Sequence, residues 1–216
     1  MAKTDWKTTL NKIDQIEGLL VPGQEKVLYF LASKLRSGSV IVEIGSFMGK
    51  STACFALGRR FDDIKIYAID TFAGNAKDFI RGTQFKGKGF FAEFRKNLEK
   101  LGLYKNIIPV KGLSQDVGKT WNKSIDLLFI DGSHIYKDVK KDFELFFPWV
   151  KPGGLVLFHD VHPEFPGVLR VWREIARLKL SAIGNNETLY FGFKPRSVLL
   201  LLADWAQMWL LKKKIK

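Results

Sequence analysis

A doubly wound α/β fold with a mostly parallel sheet is predicted by two features of the sequence. Apolar runs of strand length alternate with segments in which apolar residues recur at helical spacing, which is typical of parallel βαβ units rather than of a sandwich. The chain has 216 residues, 46% of them hydrophobic, which suits a single domain with one sizeable core. We therefore expect one α/β domain with short extensions.

Seven strands can be placed along the chain, five of them parallel and the last two forming a hairpin, so that the last strand is antiparallel. They are Val40 to Ile44, Ile64 to Ile69, Ile107 to Val110, Ile125 to Ile130, Leu155 to Phe158, Leu180 to Ile183 and Thr188 to Phe193. Helical spacing is found over residues 23–36, 49–61, 90–102, 136–150 and 166–179. This order predicts a Rossmann-like, seven-stranded sheet, with an N-terminal helical cap over residues 1–38 and the ligand-binding domain over residues 39–195.

Two segments depart from this alternation. Residues 74–89 are glycine-rich and basic, and we expect a long loop that either covers a substrate or is disordered. Residues 196–216 predict an apolar helix, whose run from Val198 to Leu211 would rise about 21 Å, short of a bilayer core of about 30 Å. Its two tryptophans and terminal lysines are typical of a helix lying in an anionic membrane surface, whereas packing on the domain or on a second subunit is the alternative.

The formal net charge is +13, which favours an anionic partner such as nucleic acid, a phosphorylated substrate or an acidic membrane face. Zinc-finger spacing and RNP-type aromatic motifs are lacking in the sequence, so nucleic acid is not the expected partner. The single cysteine, Cys54, lies on an apolar run and is expected in the core of a protein from a reducing compartment. The charged N-terminus has no apolar signal region, and we expect a cytoplasmic protein, with the inner membrane face as the alternative location.

The stretch VIVEIGSFMGKST, residues 40–52, carries a strand directly into two glycines. A phosphate-binding P-loop needs four residues between its first glycine and the Gly-Lys pair, and here Gly45 and Gly49 are separated by three. A dinucleotide fingerprint needs a further glycine two residues after the first, and Phe47 occupies that position. A nicotinamide dehydrogenase is therefore disfavoured, although the fold alone would allow one.

The pattern that remains, Glu43-x-Gly45-x-x-x-Gly49 with Asp70 ending the next strand, resembles the first two motifs of class I S-adenosylmethionine-dependent methyltransferases. The stretch IDLLFIDGSHIYKDVKKDFELFFPWVKPGGLVLFHDV is similar to the small-molecule and sugar O-methyltransferases that have Asp-Gly-Ser-His after strand four and Lys-Pro-Gly-Gly before strand five. The resemblance covers roughly residues 18 to 193. It implies S-adenosylmethionine as the cofactor and methyl transfer as the reaction.

The same resemblance implies which residues bind the cofactor. The glycine turn would let the backbone approach the methionine part, Asp70 would accept both ribose hydroxyls, and Thr71 and Phe72 would cover the adenine. Many relatives have an acid in place of Leu113, so Ser114 or a backbone group is expected to supply the contact to the adenine amino group. The implied cofactor-binding residues are Glu43, Gly45, Ser46, Gly49, Ser51, Asp70, Thr71, Phe72, Ser114 and Asp131.

Acids and histidines also gather after strands four and five, where Asp131, His134, His159, Asp160 and His162 follow the predicted strands. In an open parallel sheet, ligands bind beyond the carboxyl ends of the strands. Strand ends lie about 4.8 Å apart, so the carboxylates of Asp131 and Asp160 could share one divalent cation. The alternative is that they cap adjacent loops without an ion.

Metal-dependent sugar O-methyltransferases of macrolide biosynthesis and catechol-type O-methyltransferases resemble this second cluster. The resemblance implies that Asp131, His159 and Asp160 hold a metal and that His134 is the base, with Asp131 and His134 as catalytic residues. His159 stands where the sugar enzymes have an acid. This departure leaves three alternatives, which are a weaker Mg²⁺ site, a softer ion such as Mn²⁺ or Zn²⁺, because imidazole favours transition ions, or no metal. Asp142 and Glu144, by contrast, are predicted to belong to a solvated helix face.

The expected acceptor is a hydroxyl of a small molecule, such as a sugar, a glycan or a lipid-linked saccharide. Contact with a membrane surface or dimerisation through residues 197–216 would accompany a substrate held at a membrane. Two alternatives stay open at this point. One is a metal-independent methyltransferase acting on nitrogen, protein or nucleic acid, and the other is a noncatalytic module that binds the cofactor or recruits partners.

Overall fold

The computed structural model describes residues 6–73 and 89–196. The strands of this part of the chain are β1 (Val40–Ile44), β2 (Lys65–Asp70), β3 (Ile107–Lys111), β4 (Ile125–Ile130), β5 (Val150–Phe158), β6 (Ser181–Asn186) and β7 (Leu189–Phe193). The helices are α1 (Trp6–Ile13), α2 (Gln24–Ala32), α3 (Lys50–Gly58), α4 (Phe91–Lys100), α5 (Ser114–Thr120), α6 (Tyr136–Phe146) and α7 (Pro166–Val171), and a π-helical turn at Trp172–Ala176 continues the last of them.

One sheet contains all seven strands, in the order β3-β2-β1-β4-β5-β7-β6. Strands β1 to β5 pair in parallel, and β7 runs antiparallel to both β5 and β6. The predicted fold class is thereby confirmed. The order reverses between β1 and β4, and in sheets of this kind the ligand cleft opens at that switch point, beyond the carboxyl ends of the strands.

Strand β5 begins at Val150, five residues earlier than the sequence predicts. The segment Lys-Pro-Gly-Gly suggests a turn, but it continues the strand after an irregularity in its pairing with β4. Gly153 has a φ of 78°, a conformation that glycine adopts without strain. Helix α5 was not predicted separately, since seven residues that include a glycine and one large apolar side chain give no clear helical period.

Helices cover both faces of the sheet, and each face has its own apolar cluster. Helices α1 to α4 pack on one face and contribute Val27, Phe55 and Phe94 to its core, whereas α6 and α7 cover the other with Phe143 and Val171. The N-terminal helices share the first core with the strands, so the boundary expected at residue 38 separates elements rather than cores.

Cys54 is fully buried in that first core, as predicted, and burial raises the pKa of its thiol well above the ordinary value. No helix within residues 6–73 and 89–196 is long and apolar enough to cross a membrane. Most of the predicted loop over residues 74–89 and the predicted helix over residues 196–216 lie outside the described residues.

Candidate active site

The sheet register brings the predicted site residues to one level at the switch point. Ile44 of β1 pairs with Ile130 of β4, which in turn pairs with Phe158 of β5. The next residue of each strand, Gly45, Asp131 and His159, therefore lies at the same edge of the sheet. Two backbone hydrogen bonds extend the ladder by one step, from Asp131 N to the Ile44 carbonyl (2.8 Å) and from His159 N to the Ile130 carbonyl (3.1 Å).

Gly45, directly after β1, lies close to the backbone that follows β4. Its φ is 87°, and a Cβ atom placed on it would lie 2.1 Å from the carbonyl oxygen of Asp131. Gly49 has a φ of 91° and directly precedes α3. Both glycines are thus required by backbone geometry, which explains the first and last positions of the glycine turn.

The carboxylate of Glu43 holds the glycine turn and the start of α3 together. It is completely buried and accepts hydrogen bonds from the hydroxyls of Ser46, Ser51 and Thr52. Burial raises the pKa of Glu43 to about 7, although the three hydroxyl donors oppose the shift. Two of the predicted cofactor ligands, Ser46 and Ser51, therefore direct their hydroxyls to Glu43, and their contacts with a cofactor stay a prediction.

We expect Glu43 to make stability depend on pH in the direction opposite to that of a salt-bridged acid. Its pKa of about 7 lies above its ordinary value of 4.5, so the protonated form favours folding below about pH 4.5 and this contribution is lost as the pH rises through about 7. The advantage of the wild type over Glu43→Gln should be larger at pH 5 than at pH 8, by roughly 1 to 3 kcal/mol. Urea unfolding of both proteins at the two pH values measures this difference. If the free energy of unfolding of the two proteins differed by the same amount at pH 5 and pH 8, the raised pKa of Glu43 would be contradicted.

Asp70, at the end of β2, is held by backbone amides. One oxygen accepts hydrogen bonds from the N–H groups of Ser46 and Phe47, both at 2.8 Å, and the other accepts from the N–H of Phe72 at 2.7 Å. The acid predicted to bind the ribose thus lies against the glycine turn. Its geometry is fixed by the main chain of both neighbouring segments, which is the preorganisation expected of a binding carboxylate.

The three residues predicted to lie around an adenine ring, Thr71, Phe72 and Ser114, each make contacts within the protein. The Phe72 ring is buried against Phe91 and Phe94, so a contact with an adenine would have to come from its main chain. The hydroxyl of Thr71 accepts a hydrogen bond from the N–H of Ala73 at 3.3 Å. Ser114 begins α5, and its hydroxyl donates to Asp142 at 2.6 Å.

Asp142 corrects the sequence prediction, because it does not belong to a solvated helix face. Its side chain is buried, with 2% of the residue exposed, and burial raises the pKa of its carboxyl to about 7. The signal was present in the spacing: Asp142 lies three residues after Val139 and four before Phe146, both on the buried face of α6. Glu144 is about half exposed, as predicted.

Beyond β4 and β5, Asp131, His159 and Asp160 form a compact cluster. Nδ1 of His159 lies 3.1 Å from Oδ1 of Asp131 and 3.1 Å from Oδ2 of Asp160. One nitrogen and two carboxylate oxygens of the three residues lie within 4.8 Å of one another. Asp160 has a φ of 55°, a left-handed conformation that aspartate tolerates better than most residues.

The charges of the cluster are strongly interdependent. Burial lowers the pKa of His159, but Asp131 and Asp160 oppose it and together raise that pKa to about 10. Burial raises the pKa of Asp131, and the negative charge of Asp160 acts in the same direction. The two carboxylates therefore require a positive companion, which is either a protonated His159 or a cation.

The residues fit a cation at this place. Nδ1 of His159 is buried and close to both carboxylates, yet it lacks the alignment that a hydrogen bond to either of them requires. Two carboxylate oxygens and one imidazole nitrogen are a donor set that suits first-row transition ions better than Mg²⁺. Asp131 is 21% and Asp160 17% exposed at the side chain, so the cluster opens to the outside.

His134 lies beside this cluster, and His162 does not. Nε2 of His134 is 3.0 Å from Oδ2 of Asp160, and its ring packs on Phe165 with centroids 4.3 Å apart. His162 is about half exposed and faces Glu164, its Nδ1 3.7 Å from that carboxylate. Two of the three histidines that follow strands four and five are thus brought to the acids.

Comparison with known proteins agrees with this architecture. A family model described as a methyltransferase domain matches residues 42–161, more than half of the chain. The uncharacterized protein y4gI of Sinorhizobium fredii is 30% identical over 145 residues, which make up 65% of this chain and 15% of that protein. The chain therefore spans only a small part of that curated relative.

Two solved structures share the fold. The O-methyltransferase of Bacillus cereus in complex with SAH has a TM-score of 0.62 and 19% identity, with 90% of this chain and 93% of that chain covered. The O-methyltransferase TomG of Streptomyces achromogenes, involved in tomaymycin synthesis and solved with SAM, has a TM-score of 0.60 and 19% identity, covering 87% and 86%. With the glycine turn, the seven-stranded sheet and the family match in agreement, the chain belongs to the methyltransferase-domain family.

Proposed function

We propose that this protein transfers the methyl group of S-adenosylmethionine to a hydroxyl oxygen of a small molecule, with the assistance of a divalent cation. The observation that carries the proposal is the cluster of Asp131, His159 and Asp160 beside the glycine turn of a methyltransferase fold. The two similar structures are O-methyltransferases that bind SAH and SAM, which supports both the cofactor and an oxygen acceptor.

Each residue has a role in this proposal. Glu43 shapes the glycine turn, Asp70 accepts the ribose hydroxyls, and Asp131, His159 and Asp160 hold the cation. When bound, the cation would lower the pKa of the acceptor hydroxyl. The chain then contributes alignment of the acceptor oxygen with the methyl group and sulfur, which supplies most of the rate in an in-line displacement.

His134 is the base in this proposal. A carboxylate only accepts hydrogen bonds, so Nε2 of the neutral ring donates to Asp160, and the ring would take up the proton of the acceptor hydroxyl. The ion pair formed with Asp160 would stabilise the protonated ring, as in other acid-oriented histidine bases. The His134 side chain is 16% exposed, which leaves it within reach of a ligand.

The acceptor we propose is a sugar, a glycan or a lipid-linked saccharide. The net charge of +13 supports an anionic or membrane-held acceptor, since it would raise the local concentration of such a substrate. Residues 197–216, with an apolar run followed by lysines, are the segment that would contact a membrane surface or a second subunit.

The first test is calorimetric titration with S-adenosylhomocysteine, with NADH as the control ligand. Asp70→Ala should weaken binding by about 10- to 100-fold, because charge-assisted hydrogen bonds contribute about 1.5 to 3 kcal/mol. Asp63→Ala is the matched control, since Asp63 precedes the same strand β2 at its other end and bonds to Ser37. The control should bind like the wild type.

The results separate the alternatives. Failure of the wild type to bind S-adenosylhomocysteine would refute methyltransferase activity and leave a noncatalytic module that recruits partners. Binding without turnover of any acceptor would instead support a noncatalytic module that binds the cofactor. Binding followed by turnover that survives EDTA would support a metal-independent methyltransferase instead. Turnover of hydroxylated acceptors that EDTA abolishes and Mn²⁺ or Mg²⁺ restores is the expected result.

A further inference from the structure

We propose that Gln24, the first residue of α2, fixes which nitrogen of His159 carries the proton and so keeps the other nitrogen, Nδ1, available for a cation. This inference rests on the cation site proposed above. Gln24 lies outside the region matched by the methyltransferase family model, which begins at residue 42, and its role is that of a positioning residue.

The orientation of the Gln24 amide is set by three neighbours. Its Oε1 accepts a hydrogen bond from the backbone N–H of Val21 at 2.8 Å, which only an oxygen can do. Its Nε2 lies 3.1 Å from the hydroxyl of Thr188 and 3.4 Å from the carbonyl of Asn186, which only accepts. Exchanging the oxygen and nitrogen of the amide would place donor against donor and, at Asn186, acceptor against acceptor.

The orientation of Gln24 decides the state of His159. Nε2 of His159 lies 2.8 Å from Oε1 of Gln24, so it must donate a proton to that oxygen. Gln24 is completely buried and His159 is 3% exposed, so water does not compete at this contact. With one proton on Nε2, the lone pair of the neutral ring is on Nδ1, facing Asp131 and Asp160.

Without Gln24 the opposite tautomer would be favoured. Two carboxylates lie 3.1 Å from Nδ1, and each would attract a proton to that atom. A neutral ring with its proton on Nδ1 cannot bind a cation there. Oε1 of Gln24 therefore holds the proton on Nε2 of His159, although the two carboxylates would attract it to Nδ1. Hydrogen-bond partners of metal-binding histidines commonly have this role.

The contact also joins three parts of the fold at the site. Gln24 begins α2, Thr188 lies in the turn between β6 and β7, and His159 follows β5. The N-terminal helices thus supply a site residue as well as core contacts. The sequence offers only a weak signal for this, a glutamine just after Pro-Gly at the start of a helix.

The test uses two substitutions of Gln24, one that removes the oxygen accepting the hydrogen bond from Nε2 of His159 and one that keeps it. Gln24→Met has a similar length without hydrogen-bonding groups, and it should weaken Mn²⁺ binding to the full-length protein by about 10- to 100-fold. Gln24→Glu keeps an oxygen toward Nε2 of His159 and should bind Mn²⁺ within about threefold of the wild type. Leu28→Ala, a buried change in the same helix that leaves the amide untouched, controls for general loosening and should also bind like the wild type.

Two measurements keep this inference separate from the cation site itself. Calorimetry with Mn²⁺, with Asp131→Ala to identify the site, gives the affinities, and an imidazole ¹H–¹⁵N spectrum of the metal-free proteins reports the Nε2 proton. The wild type should show a downfield, slowly exchanging Nε2–H that is hydrogen-bonded to Gln24, and in Gln24→Met this signal should move upfield and exchange faster. Normal Mn²⁺ binding by Gln24→Met, or a wild type without that protected proton, would overturn the role of Gln24 and leave the cation site intact. No Mn²⁺ binding by the wild type would refute the cation site, and this inference with it.

Discussion

Replacing Asp131 with asparagine should lower the rate of methyl transfer by about 10³-fold or more while the protein stays folded. A cation in such a site stabilises developing negative charge by several kcal/mol, and each 1.36 kcal/mol corresponds to a factor of ten. Asp131 is the only acid within the cluster that comes from β4, and it contacts Nδ1 of His159 at 3.1 Å. Its loss would leave one nitrogen and one carboxylate to hold the ion.

The stability of this variant should change far less than its activity. Burial and the charge of Asp160 both disfavour the ionised form of Asp131, as its raised pKa indicates, so a neutral amide relieves repulsion as well as removing a partner of His159. Thermal unfolding measures stability, and Mn²⁺ calorimetry together with turnover of a screened hydroxylated acceptor measures the site.

Asp138→Asn is the matched control for Asp131. Asp138 lies seven residues later, accepts hydrogen bonds from Ser133 and Gln115, and is not a member of the three-residue cluster. The control should keep Mn²⁺ affinity and turnover within a few fold. Full activity of Asp131→Asn in the presence of EDTA would remove the cation from the mechanism.

The parts of the site that follow from strand ends could be predicted from the sequence. An apolar run that stops at an acid marks the carboxyl end of a buried strand, and parallel strands place all such ends on one edge. This reasoning brings Asp131 and Asp160 together, and the family resemblance adds the expected role of Asp70. The glycine turn could also be predicted from the sequence, because Gly45 and Gly49 occupy positions whose backbone conformation favours glycine.

Contacts made between distant parts of the chain could not be predicted in this way. Gln24 meets His159 across 135 residues, and no local period marks it as a site residue. Phe72 has a left-handed φ of 52°, and its ring packs in the core against Phe91 and Phe94, contacts that its place just after β2 does not indicate. Asp142 shows a different failure, since its charge suggested solvent although its spacing placed it on the buried face of α6.

The role of His134 leads to the second large effect. His134→Gln and His134→Ala should both lower the turnover number by about 10² to 10⁴, the usual contribution of a general base. Glutamine distinguishes two explanations, because its amide can still donate a hydrogen bond to Asp160 but cannot take up a proton. If His134 only positioned Asp160 through the 3.0 Å contact, glutamine would restore much of the activity that alanine loses.

The pH profile of turnover adds a second criterion that a positioning role would not affect. The wild type should lose activity on the acid side, where a base is already protonated, and His134→Gln should lose this limb along with most of its rate. Mn²⁺ affinity should remain close to that of the wild type in both variants, since His134 is not among the residues proposed to hold the cation. High activity of His134→Gln with an unchanged profile would assign the base elsewhere and leave His134 as the residue that orients Asp160.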